Sequence, residues 1–180
     1  MKKTLIILSI FLLPVFVKAQ KCKYEESGYD QFTKQLVKRT KLKTIWSGWN
    51  MSLMVQGIKI DAKLSIAFRV GFSGSKKRPD WNIKKGDKAY ILFESGDMIE
   101  LRANESRECD RKTSLGVPPV KSIWIIPTYE ISEVDLGKIM KEQVKAIRII
   151  YAEGQEKTKF DQEITKKQLS KFRDIVTCIL

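Results

Sequence analysis

The chain has 180 residues, with 34 lysines and arginines against 21 aspartates and glutamates and no histidine, for a formal charge of +13. Without imidazole it is excluded from Ser-His-Asp and Cys-His catalysis, from histidine proton transfer near neutral pH and from histidine-containing zinc sites. Charge of this strength favours anionic surroundings, although a lysine excess that only maintains solubility and a monomeric state accounts for it too.

Lys2 and Lys3 precede an uncharged, mainly apolar run from Leu5 to Val17, and Val17 and Ala19 are small residues at the third and first positions before a cut. This pattern predicts a secretory signal peptide over 1–19 and export to the periplasm or the extracellular space. The apolar run is thirteen residues long, whereas a membrane span needs about twenty. A mature chain starting at Gln20 has 161 residues and a charge of +10, from 31 basic and 21 acidic groups. That length suits a single globular domain over 20–180, and no second apolar run approaches spanning length, so no transmembrane segment is expected after processing. Lys21 interrupts the small-residue box that lipidation of Cys22 would need.

In an oxidising compartment Cys22, Cys109 and Cys178 permit one bridge. Cys22 with Cys178 is the expected pair because domain termini often lie close together, which leaves Cys109 free. The plainer alternative makes Cys22 and Cys178 buried small apolar residues.

Along the chain, Arg39, Lys41 and Lys43 recur at a spacing of two, so a strand there projects all three from one face, near Lys34 and Lys38. Such a stripe suits a linear polyanion, and lysines on an edge strand also prevent aggregation. Trp46 and Trp49 flank Ser47-Gly48, as a sugar-stacking platform or as core. Ala62, Leu64, Ile66, Phe68, Val70 and Phe72 alternate with more polar residues and predict a strand with one buried face. Met51 to Ile60 predicts its partner across a bend. Ser73 and Lys76 have Ser-x-x-Lys spacing, but they follow a strand, and the companion Ser-Asp-Asn and Lys-Thr-Gly motifs are missing. Lys76-Lys77-Arg78 beside Trp81 sets three cations next to an indole, which suits an anionic glycan or lipid headgroup. Alternatively Trp81 anchors the loop in the core. Asp80 and Asn82 begin like a calcium loop, but Lys84 and Lys85 occupy positions that need an oxygen ligand and a glycine. No metal site and no cofactor are expected.

Lys85-Gly86-Asp87 predicts a turn into a hairpin of Ala89–Glu94 and Met98–Ala103 about Ser95-Gly96-Asp97. Its acids Glu94, Asp97 and Glu100 are candidates for carboxylate chemistry, or are solvated surface groups. The segment from Asn104 to Val120 is polar, with Gly116 and Pro118-Pro119, and predicts a long surface loop carrying Cys109. Ser122 to Ile126 predicts a strand covered on both faces, limited by Pro127. Ser132 with Asp135 predicts a capped helix from about Glu133 to Glu142. Lys145–Ala152 and Thr158–Ile164 flank Glu153-Gly154-Gln155 as a second hairpin. Thr165 and Gln168 cap a last helix with Leu169, Phe172, Val176 and Ile179 in one stripe, leaving Cys178 beside it and reachable from outside.

The Cys22-Lys23-Tyr24-Glu25 start, Lys85-Gly86-Asp87-Lys88, Glu94-Ser95-Gly96-Asp97, Tyr129-Glu130-Ile131-Ser132, Ile147-Arg148-Ile149 and the helix closing at Cys178 are spread over most of the mature chain. Together they resemble a family of small exported β-rich proteins of Gram-negative bacteria. The resemblance implies a β-rich exported domain and supplies no activity or ligand. The chain departs from it in the cationic loop near Lys76 and the insertion bearing Cys109.

The expected fold is α+β, mainly β: an antiparallel β-sandwich or curved sheet with two helices in the C-terminal third. The function these features favour is a non-enzymatic binding or structural protein of the cell envelope that contacts an anionic glycan, lipid headgroup or acidic protein. Nucleic acid fits the charge, but an exported protein rarely meets it. Two other classes stay open: a histidine-free hydrolase using carboxylates or a Ser-Lys pair, and a protein inhibitor or assembly partner recognised through the loop around Cys109.

Overall fold

The computed structural model describes residues 22–74, 80–113 and 121–180; the leader-like segment 1–19 and the run Lys76-Lys77-Arg78 lie outside them. β1 (Tyr24–Asp30) and β2 (Gln35–Thr40) form a hairpin, β3 (Lys43–Ser47) follows, and β4 (Met51–Ile60) and β5 (Lys63–Gly74) make the long central hairpin. After β6 (Trp81–Ile83) comes the expected hairpin of β7 (Lys88–Phe93) and β8 (Met98–Arg102), turning at Gly96 with φ +90°. Short strands β9 (Arg107–Glu108), β10 (Asp110–Thr113), β11 (Lys121–Ile125) and β12 (Thr128–Glu130) lead to α1 (Glu133–Lys141). The second expected hairpin, β13 (Val144–Glu153) with β14 (Glu156–Glu163), precedes α2 (Lys166–Thr177).

These elements form two antiparallel sheets, one curled as a half-barrel. The first runs β1-β2-β4-β5-β11-β10, with β3 beside β4 and β12 beside β5. In the second, β7 and β6 share one edge of β13 and β14 takes the other. Leu53, Val55, Ile66 and Phe68 of the first sheet and Ile91 and Ile147 of the second belong to one continuous core. Both helices begin where their caps predict. The Ser132 hydroxyl accepts the Asp135 N–H at 3.1 Å, and Thr165 with Gln168 forms a reciprocal capping box. Phe172 of α2 lies 6.2 Å, ring to ring, from Phe68. A Cβ at Gly57 would come within 3.0 Å of Ile179 Cγ2 and 3.3 Å of Ile175 Cγ2, so glycine lets the end of α2 close onto β4.

The bridge between Cys22 and Cys178 is present, with Cα atoms 5.6 Å apart, and the Tyr24 hydroxyl donates to the Cys178 carbonyl at 2.9 Å. Cys178 is therefore a half-buried member of a disulfide, and its sulfur is not a free group on the surface. Cys109 is free, half-buried and packed against the core.

Three expectations need correction. The segment from Asn104 is not irregular up to residue 113: β9 pairs with β6, the Cys109 N–H donates to the Trp81 carbonyl at 3.0 Å, and β10 pairs with β11. Every residue of β9 and β10 is exposed, so these edge strands carry no apolar alternation to read. β5 is covered on both faces, because Ser65 and Ala67, opposite in parity to the core residues, floor a cleft on the outer face. β11 buries Ile123 and Ile125 fully, whereas Ser122 and Trp124 on its other face are only half-buried.

Candidate functional site

A cleft of about 860 Å³ opens between β6, the turn that follows it, β9 and the β13–β14 turn. Its floor is built on the tight turn Lys84-Lys85-Gly86-Asp87. The Asp87 carboxylate accepts the Lys84 N–H at 2.8 Å and the Lys157 amine, and the Asp87 N–H donates to the Lys84 carbonyl at 2.9 Å. Gly86 takes φ +86°, where a side chain is disfavoured, and its N–H donates to the Ala103 carbonyl at 2.9 Å. The Lys85 N–H donates to Ser106 Oγ at 3.0 Å. With the backbone held from both sides, the side chains of Lys84 and Lys85 join Lys157 and Arg107 in the lining. Among the described residues neither Lys84 nor Lys85 has an ion-pair partner. Arg107 is paired with Glu105 at 2.7 Å, and Asp80 at the rim with Arg111.

No family model matches this chain, and no curated protein or solved structure matches it.

Asp87 is 9 % exposed. Burial alone would raise its pKa, but the Lys157 amine, then the Lys84 N–H, outweigh it and hold the carboxyl below the usual carboxylate range. A group depressed in the folded state contributes stability above its unfolded pKa and loses it as pH falls through the folded value. Asp87→Asn is therefore expected to cost about 1–3 kcal/mol at neutral pH. The gap between parent and variant begins to narrow below about pH 4, where the unfolded carboxyl takes up its proton, and closes once pH has fallen through the lower folded value. Urea unfolding at pH 7 and pH 3 measures this; an equal gap at both values would remove the carboxylate from the explanation.

The described lining holds the carboxylates of Asp80, Asp87 and Glu108 beside its cations. Its one hydroxyl side chain, Ser106, accepts the Lys85 N–H, and no imidazole or thiol stands beside it. Among the described residues, no group of three or more cysteines and acids is placed to hold a metal ion.

Trp81 is 4 % exposed, with its ring 5.1 Å from Tyr151 and 6.5 Å from Phe72, so its indole is an anchor in the core and not a free platform. Arg39, Lys41 and Lys43 do not share a face. Arg39 of β2 pairs with Ile58 and Lys43 of β3 with Val55, so four steps from β2 into β3 match three along β4 and the parity inverts. Arg39 lines the outer-face cleft, loosely paired with Glu26 at 3.9 Å, whereas Lys43 bonds Asp174 of α2 at 2.7 Å. Trp46 and Trp49 do not form a platform either: Trp46 packs edge-on against Phe160, and Trp49 stands fully exposed on the turn.

The hairpin acids diverge. Asp97 pairs with Lys138 of α1, and Glu94 is exposed. Glu100 sits between Lys88 and Arg102, and the Lys88 amine chiefly holds it below the usual carboxylate range, the reverse of what a general acid needs. Ser73 Oγ lies 3.2 Å from Ser122 Oγ, while Lys76, its proposed partner, is outside the described residues.

A second cleft of about 680 Å³ lies on the outer face of the first sheet, and the strip Ser106–Glu108 lines both clefts. In its floor, Gln56 Nε2 donates to Glu25 and to the Thr40 carbonyl, each at 2.7 Å. The cationic lining of the first cleft escaped the sequence reading. Lys84 and Lys85 were legible as a dibasic turn, but Lys157, 70 residues from Asp87, had no local signal.

Proposed function

We propose that this is an exported, non-enzymatic binding protein whose lysine-lined cleft takes an acidic segment of an anionic glycan. The observation that carries the reading is the Asp87-locked turn, which places Lys84 and Lys85 in the lining without acidic partners among the described residues. Lysines held on a fixed backbone and outside any salt bridge bind an anion without first breaking a direct ion pair or ordering a loop. The volume falls in the range that holds ligands of a few sugar units. In sequence, Lys76-Lys77-Arg78 ends two residues before the rim residue Asp80. The disulfide suits an oxidising compartment, as the leader-like start does.

Lys84→Ala with Lys85→Ala is expected to elute from an immobilised sulfated or carboxylated polysaccharide at lower salt than the parent. The affinity loss is about tenfold, from two exposed cations of up to about 1 kcal/mol each. Co-elution of parent and variant would reject the cleft as the site.

A further inference from the structure

One end of the first sheet carries a surface separate from the cleft. The β1–β2 turn is shaped by Asp30, whose Oδ1 accepts the Phe32 N–H at 2.8 Å and the Thr33 N–H at 3.3 Å, while the Lys34 N–H donates to the Asp30 carbonyl at 2.8 Å. On that fixed turn Phe32 is 99 % exposed. Directly behind it the cross-strand pair Tyr29 and Leu36 is also exposed. The β4–β5 turn lies at the same end, tied by the Leu36 N–H to Asp61 Oδ1 and the Asp61 N–H to the Leu36 carbonyl, both 2.9 Å.

Asp30 and Asp61, the two acids of this end, each accept backbone N–H groups through Oδ1 and keep their negative charge, against four lysines. Lys34, Lys38, Lys59 and Lys63 surround the tip; among the described residues none of them has an acidic side-chain partner, and the Lys59 amine donates a long bond of 3.4 Å to the Leu180 main-chain oxygen. Lys38 and Lys59 stand directly opposite each other in register. Like charges so placed repel, and an anion between them relieves the repulsion. An apolar tip ringed by cations is complementary to a boundary that is apolar inside and anionic at its face. The apolar part is one projecting turn, unlike the flat patch of about 800 Å² that a stable protein partner would bury.

We propose that this end docks on a membrane surface containing anionic phospholipid. Phe32 enters the interface with Tyr29 and Leu36 behind it, and the four lysines meet the headgroup phosphates. The test is co-sedimentation of the exported protein with vesicles of phosphatidylcholine, with and without phosphatidylglycerol. The parent is expected to bind the mixed vesicles, to be released by salt, and to bind the neutral ones weakly. Phe32→Ser should lower partitioning about tenfold, and Lys38→Gln with Lys59→Gln by about fivefold per lysine. All these positions are on the surface, and matching thermal melts check folding. Lys84→Ala with Lys85→Ala should bind vesicles like the parent, which separates this surface from the cleft. Equal binding to neutral and anionic vesicles, or parental binding by Phe32→Ser, would overturn the proposal. So would a protein complex that depends on Phe32 while the parent leaves vesicles unbound.

Discussion

Replacing Cys22 and Cys178 with serine is expected to lower stability by about 5 kcal/mol, the chain-entropy value for a loop of this size. The bridge joins residues 156 apart, so its loss frees nearly the whole described chain in the unfolded state. The folded state loses a tether as well. Among the described residues β1 has β2 as its one sheet neighbour, and most of its residues are exposed, so little apolar burial holds it without the bridge. The Tyr24 hydroxyl bond to the Cys178 carbonyl depends on the same closure. Urea unfolding of the oxidised parent, the reduced parent and the double serine variant measures the effect. The last two should share a midpoint well below the first, and coincidence of all three would defeat the tether argument.

Phe172→Ala is the second large effect, at about 3–5 kcal/mol. Phe172 is fully buried, and its ring packs against Phe68 on β5 while its helix closes over Gly57 on β4. Truncation leaves a cavity at the junction of helix and sheet, where the disulfide and the Gly57 contact restrict collapse. Denaturant unfolding checks this, with Phe32→Ala as its control. A fully exposed ring at a turn tip should change stability by less than about 0.5 kcal/mol. Similar losses from the two substitutions would contradict the burial assigned to them.

Most of the fold was legible because local chemistry and tertiary packing agree. The alternation from Leu64 to Phe72, the turns at Gly96 and Gly154 and the caps at Ser132 and Thr165 each specify an element without reference to distant residues. β9 and β10 were not legible, since polar edge strands owe their existence to the partners β6 and β11. The stripe of Arg39, Lys41 and Lys43 failed for a related reason. Spacing of two implies one face only while the strand stays regular, and the extra residue between β2 and β3 is set by pairing with β4. Trp81 carried two readings in the sequence, and burial against Tyr151 and Phe72 selected the core anchor.

By itself the amino-acid sequence determined the long strands β4 and β5, the β7–β8 and β13–β14 hairpins, β11 and both helices, together with the absence of imidazole chemistry, the cationic balance and the pairing of Cys22 with Cys178. These properties depend on composition and on neighbours a few residues apart. Tertiary structure alone decided which charges are neutralised and which stand free. Asp87 meets Lys157, Lys43 meets Asp174 and Asp97 meets Lys138, each across tens of residues, whereas Lys84, Lys85 and the lysines around Phe32 form no side-chain salt bridge among the described residues. Ion pairing falls off within a few ångströms, so the sequence can count charges, but only the folded chain can pair them.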